Sequence, residues 1–177
     1  MREKAEVTRF EELALPHMEA AYNLARWLTG NNHDAEDVVQ ESYLRALKFF
    51  ASFRGENGKP WLLTIVRNTC YTWLRRNRMN EITTDLEEEV QLADTTSVSP
   101  EAMLLAAART ESVQRALEEL PVEFREIVIL RELEGLSYKE IAEIAAIPVG
   151  TVMSRLARAR ARLQKLLSEP GLAEVRA

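Results

Sequence analysis

The chain has 177 residues, a size for one ordinary domain or two small ones. Hydrophobic residues make up 46% and charged residues 29%, which excludes a wholly disordered chain and a membrane-embedded one. The net charge is -5, from 23 Lys and Arg against 28 Asp and Glu, whereas nucleic-acid binders ordinarily carry a basic excess. Only six glycines and six prolines interrupt it, so long helices are expected. Cys70 is the one cysteine, which excludes an internal disulfide and a four-cysteine zinc site. With His17 and His33 the only histidines, no cluster has metal-ligand spacing, and neither metal nor cofactor is expected. The charged start, Met1 to Glu6, is no signal peptide, and no apolar run reaches the ~20 residues that span a bilayer. A cytoplasmic protein without membrane insertion is expected.

In chain order, Leu13, Met18, Ala21, Tyr22, Leu24, Ala25 and Leu28 form one helical stripe, stopped by Gly30. Asn31 to Asp34 supply capping residues for a helix from about Ala35. Its apolar face is Val38, Val39, Ser42, Tyr43, Ala46, Leu47 and Phe50; the other carries Asp37, Gln40, Glu41 and Arg45. Ser52 to Lys59 form a loop, and Pro60 fits the first position of a third helix, whose apolar side runs from Leu62 to Trp73. Residues 81–101 hold seven acids and no Lys or Arg, and end in a Thr/Ser/Pro-rich stretch, the composition of a linker. This divides the chain into 1–80, 81–101 and 102–177, an all-α protein of two small helical domains joined by an acidic flexible linker.

The second half begins with a helix from Pro100 to Glu119, broken at Leu120-Pro121. Phe124, Ile127, Val128 and Leu130 bury a face of the next helix, which Gly135 ends. Ser137 and Glu140 have capping-box spacing. A short helix with Ile141 and Ile144, a turn at residues 146–150 and a longer helix from about Thr151 to Leu167 make a helix-turn-helix. The second helix buries Val152, Leu156, Ala159 and Leu163 and carries Arg155, Arg158, Arg160, Arg162 and Lys165, with no acid before Glu169. Such a helix fits the major groove, with Thr151, Met153, Ser154, Ala157 and Arg158 near its start placed to reach base edges.

A second basic zone, Arg54 to Arg78, has six cations against Glu56, interleaved with Phe53, Trp61, Tyr71 and Trp73. Basic groups can follow a phosphate backbone while aromatics stack on unpaired bases. The tryptophans also fit an ordinary core, and Asn68 can hydrogen-bond an extruded base. By spacing alone, Asp37, Gln40 and Glu41 are a solvated acidic face. No nucleophile, metal or phosphate-loop pattern points to an enzyme. A helix-turn-helix regulator with an N-terminal sensor domain is the alternative.

These pieces together resemble the extracytoplasmic-function (ECF) group of sigma-70-type transcription initiation factors. The stretch Asp34 to Ala46 is similar to region 2.2, Phe53-Arg54-Gly55 with Trp61 to Thr69 to regions 2.3 and 2.4, and Leu120 to Val152 to region 4. The resemblance implies that Asp37, Gln40, Glu41, Tyr43 and Leu47 bind the polymerase β′ coiled coil, with the β flap a further polymerase contact. It implies that Phe53 and Asn68 surround a flipped minus-ten base, with Arg67, Tyr71, Arg75 and Arg76 on the same strand. It places the minus-thirty-five element against Met153, Ser154, Ala157 and Arg158, flanked by Thr151, Arg155, Arg160 and Arg162. Core RNA polymerase and promoter DNA are then the partners, and an anti-sigma factor is a candidate third. Met153 stands where relatives often carry a base, and the loop after Gly55 is one residue shorter than their commoner form.

Overall fold

The computed structural model describes residues 2–81 and 100–168. The interior of the acidic segment, 82–99, lies outside the described residues, and with it the expected flexible linker. Every regular element among the described residues is helical.

Helix α1 spans Arg2–Ala14 and α2 spans Met18–Thr29, separated by a single 3-10 turn, Leu15–His17. The expected continuous stripe is therefore split. Pro16 lacks the amide that a continuous helix would use and clashes with the preceding turn, so the chain steps sideways there. Met18 lands outside the core as a result, and His17 is half-buried, its pKa lowered by burial and then by Lys59. Helix α2 buries Ala21, Leu24, Ala25 and Leu28 and ends at Gly30, whose φ of +91° makes a left-handed C-cap. Helix α3, Asn32–Phe49, starts three residues earlier than the sequence pattern suggests. The Asn31 side chain is the N-cap, accepting the Asp34 amide at 2.8 Å.

Helix α4, Gly58–Glu81, also starts early: Pro60 sits inside the first turn, where no amide donor is needed. Gly58 permits this start. A Cβ there would stand 2.4 Å from the Leu13 carbonyl oxygen, so only glycine lets α4 begin against the end of α1. The variant Gly58→Ala is expected to lose about 1–3 kcal/mol of stability through this overlap. A urea melt within error of wild type would show that the two helices can part at no cost. Leu62, Leu63, Val66 and Cys70 of α4 complete a bundle with α2 and α3. The Phe10 and Phe50 rings meet edge-on at 5.3 Å to seat α1.

The second half runs α5 (Pro100–Glu118), α6 (Val122–Val128), α7 (Tyr138–Ala145) and α8 (Val149–Ser168). Pro121 immediately precedes α6, and α6 runs on into a π-helical turn, Ile129–Leu133. The capping box forms as its spacing predicts: Ser137 Oγ accepts from the Glu140 amide at 3.2 Å, and the Glu140 carboxylate accepts from the Ser137 amide at 2.8 Å. Ala146 turns the chain in the left-handed region, φ +54°, and α8 begins at Val149, two residues before the expected Thr151.

Ile141 and Ile144 of α7 pack with Val152, Leu156 and Ala159 of α8, all buried, and with Leu163 at the edge. The two halves also pack on each other, α7 against α4 and α6 against α2. Their buried side chains form one contiguous cluster. No helix among the described residues is long and apolar enough to cross a membrane.

Candidate functional site

Three surfaces gather the residues singled out by the sequence. The first is a groove of about 840 Å³ between α2 and α3, floored by Phe10, Tyr22, Val39 and Tyr43 and rimmed by Glu19, Glu36, Asp37 and Gln40. Leu44 is 66% exposed and Leu47 44% exposed in its wall, although Leu47 was expected on the buried side of its helix. Successive helical residues turn by about 100°. An arc wide enough to hold Asp37, Gln40, Leu44 and Leu47 therefore reaches from the acidic face into the apolar one. Three carboxylates thus border an apolar strip that no other described residue covers. Glu41 points away from the groove and is held by Arg45 one turn on. Tyr43 is fixed by its hydroxyl, which donates to the Ala14 carbonyl at 2.8 Å, and burial pushes its pKa up to about 12. It therefore serves as a neutral anchor for α1.

The start of α3 also brings His33, Asp34 and Asp37 together, with ligand-type atoms within 4.8 Å, a grouping that linear spacing did not suggest. Helical geometry explains it, since residues one and four apart share one end of the first turns. Asp34 is already engaged by Asn31, and His33 Nδ1 lies 3.4 Å from Asp37.

The second surface is α4. The residues expected on minus-ten DNA fall on two of its faces. Trp61, Asn68 and Arg75 recur every seven residues and share a face; Asn68, Arg75 and Arg76 are exposed. Phe53 folds onto that face, its ring stacked on Trp61 at 4.6 Å. This is the packing role foreseen for the tryptophan. Arg67 and Tyr71 lie roughly a quarter-turn away and meet the second half of the chain. Arg67 donates twice to Glu126 of α6, at 2.9 and 3.2 Å, and its guanidinium lies 4.1 Å over the Tyr71 ring. Burial acts against the Arg67 charge, but the Glu126 hydrogen bonds and charge outweigh it, so its pKa is raised. Burial, then the Glu126 charge, push Tyr71 well above an ordinary tyrosine; its hydroxyl is buried without a well-formed hydrogen bond. Cys70 beside them is buried and its thiol is pushed up to about 12 by burial and then by Glu126, as befits an inert core residue.

Glu126 is the residue that sequence reasoning missed. It lies between Arg125 and Ile127 in α6 and is fully buried. Its one sequence signal is the four-residue spacing to Leu130, which places an acid on a core-facing stripe.

The third surface is α8. Met153, Ser154, Ala157, Arg158 and Arg162 are exposed, while Thr151 and Arg155 are half-exposed. Arg160 is partly committed: its Nε donates to Glu132 at 3.1 Å, and a second nitrogen of the same guanidinium meets the same carboxylate. Among the described residues, Arg155, Arg158, Arg162 and Lys165 are the cations of α8 outside any ion pair.

Two helical halves, the second a capped helix-turn-helix whose long helix presents a cationic face, define a DNA-binding transcription protein. Family models agree half by half. Residues 13–79 match "Sigma-70 region 2" and residues 110–163 match "Sigma-70, region 4". The ECF sigma factor SigM of Mycobacterium tuberculosis is 37% identical over 159 residues, covering 89% of this chain and 76% of SigM. SigE of Mycolicibacterium smegmatis is 32% identical over 167 residues, 94% of this chain; the chain spans 65% of SigE's length. Among solved structures, the sigma factor RpoE in complex with the anti-sigma factor NepR from Bartonella quintana is similar, with a TM-score of 0.74 and 32% identity, covering 92% of this chain and 98% of RpoE. The chain belongs to the ECF group of the sigma-70 family, the factors that direct promoter-specific initiation of transcription. The region 2 match occupies the half that a regulator's sensor domain would have filled, so the alternative is not favoured.

Proposed function

We propose that the α2–α3 groove seats the β′ coiled coil of core RNA polymerase, with Asp37, Gln40, Tyr43 and Leu47 at the contact and Glu41 at its margin. The observation that carries this is the exposure of Leu44 and Leu47 beside an acidic rim. A lone leucine on a surface means little, but an apolar groove bordered by charge fits an amphipathic helical partner. Asn68, Arg75 and Arg76 then read melted minus-ten DNA beside Phe53, with Arg67 and Tyr71 joining them once freed from Glu126. Helix α8 reads the minus-thirty-five element through Thr151, Met153, Ser154, Ala157 and Arg158, while Arg155, Arg162 and Arg160 hold phosphates. The division of labour follows 1–80 for core binding and minus-ten reading, 81–101 as connection, and 102–177 for minus-thirty-five reading and the β flap. The protein has no catalytic activity of its own and works in the cytoplasm. An anti-sigma factor is a further candidate partner, because RpoE, so similar in structure, is bound by one.

Transcription reconstituted with core polymerase tests this reading. The chain should give promoter-specific transcripts, and its failure to bind core would end the proposal. Within the same assay, Arg158→Ala should weaken upstream-element binding and lower the slope of log affinity against log salt by about 0.9, one phosphate contact's worth. An unchanged slope would remove Arg158 from the DNA surface.

A further inference from the structure

We propose that this chain reads its upstream promoter element in part through thymine methyl groups, which an apolar row on α8 centred on Met153 takes up in the major groove. The inference rests on the reading of α8 as the minus-thirty-five surface and deepens it. Residues four apart follow one another along a helix face, each turned about 40° from the last. Two such rows lie side by side on the outer face of α8. One is Val149, Met153, Ala157 and Ala161, all uncharged and all exposed. Met153 is 53% exposed and has the longest side chain of the four. The other row begins at Gly150 and continues through Ser154, Arg158 and Arg162.

Single exposed apolar residues are ordinary on a protein surface. This row is distinguished by what surrounds it. Helix α8 carries Arg155, Arg158, Arg160, Arg162 and Lys165 and no acid within Val149–Ser168. Such a face is matched in charge to a polyanion, so the partner that engages the basic row also covers the apolar one. On the base edges of the major groove, the apolar group is the thymine C5-methyl. Aliphatic side chains held in that groove by cations on the flanking phosphates meet it directly.

The polar neighbours of Met153 are engaged within the chain. Ser154 Oγ donates to the Thr151 carbonyl at 3.1 Å, and Arg160, on the outer flank of the apolar row, is held by Glu132. Gly150 presents no side chain, and nothing lies within 4 Å of where its Cβ would stand. Met153 therefore meets base edges through its thioether chain, which is unbranched and adapts its shape to a methyl group. A cytosine at the same step offers an amino donor in place of the methyl. Beneath a thioether, a weak acceptor, that donor would lose water without gaining a good hydrogen bond. Thymine is thus favoured twice, by the methyl that is covered and by the donor that is refused.

The test uses the full chain assembled on core polymerase. Promoter duplexes with a randomised upstream element are offered to it, and those retained are sequenced. They should share thymine at a fixed step. Replacing that thymine by deoxyuridine removes the methyl alone and should lower affinity about fourfold. Met153→Ala should abolish most of this penalty, and Met153→Arg should exchange thymine for guanine at the same step, because arginine pairs with the guanine O6 and N7. Met153 is exposed, so both variants should keep the wild-type thermal midpoint. Deoxyuridine binding as well as thymine would overturn the proposal, and so would a full deoxyuridine penalty in Met153→Ala. Failure of the underlying reading shows separately. The retained duplexes would then share no upstream sequence and Arg158→Ala would not alter their binding, whereas a shared element that needs Arg158 but ignores the methyl overturns the thymine contact alone.

Discussion

Replacing both Leu44 and Leu47 by serine is expected to weaken binding to core polymerase by two to three orders of magnitude while leaving the fold intact. Both side chains are exposed in the free chain, Leu44 more than Leu47, and they line the groove wall with Asp37 and Gln40. Fully covering a leucine contributes about 1.5–3 kcal/mol, and since both are already partly covered in the free chain, losing two removes about 3–4 kcal/mol of association energy. A tenfold change in affinity corresponds to about 1.4 kcal/mol. Exposed positions away from caps and buried networks alter folding stability by only about 0.5 kcal/mol. The pair of effects is what identifies an interface: a large loss in a core-binding titration with an unshifted thermal melt. Equal loss of both would place these leucines in the folding core, and full retention of affinity would move the polymerase contact off this groove.

The elements that sequence made legible were those governed by local rules. The capping box at Ser137, the left-handed stop at Gly30 and the facing stripes of α7 and α8 each depend on residues close together in the chain. The acid-free face of α8 was legible for the same reason. The start of α4 moved because Gly58 leaves room for the distant Leu13 carbonyl, a close approach that no local pattern reveals. The split of the first stripe at Pro16 was legible in principle, and the strength of the apolar spacing on either side concealed it. What sequence could not give was how the halves meet. Arg67 and Glu126 are far apart in the chain, and each alone looks like an ordinary surface charge. Only packing turns one into a buried acid and the other into its counter-ion. The net charge of -5 illustrates the point, since it sums an acidic segment with cationic surfaces on α4 and α8 whose positions decide function.

The largest stability effect from a single charged residue is expected at Arg125. Its Nε donates to the Leu117 carbonyl at 2.9 Å, and its terminal nitrogens donate to Leu120 and Trp27, each at 3.0 Å, and to Glu118. Leu117 and Glu118 lie at the end of α5 and Trp27 in the last turn of α2, where carbonyls have no partner within their own helix. One guanidinium therefore satisfies the C-termini of two helices and sits where both helix dipoles are negative. Burial pushes the Arg125 pKa down, yet an arginine starts so high that it stays charged at any physiological pH. Arg125→Met keeps the apolar stem and removes the donors to the Glu118, Leu120 and Trp27 carbonyls, while Leu117 keeps the Leu120 amide, so a loss of about 2–4 kcal/mol is expected in urea unfolding. Arg125→Lys should recover only part of this, because a single ammonium cannot span acceptors arranged for a planar fork. Full recovery with lysine would mean that charge alone matters here, and an unchanged midpoint for Arg125→Met would mean that water satisfies the helix ends as well as the guanidinium does.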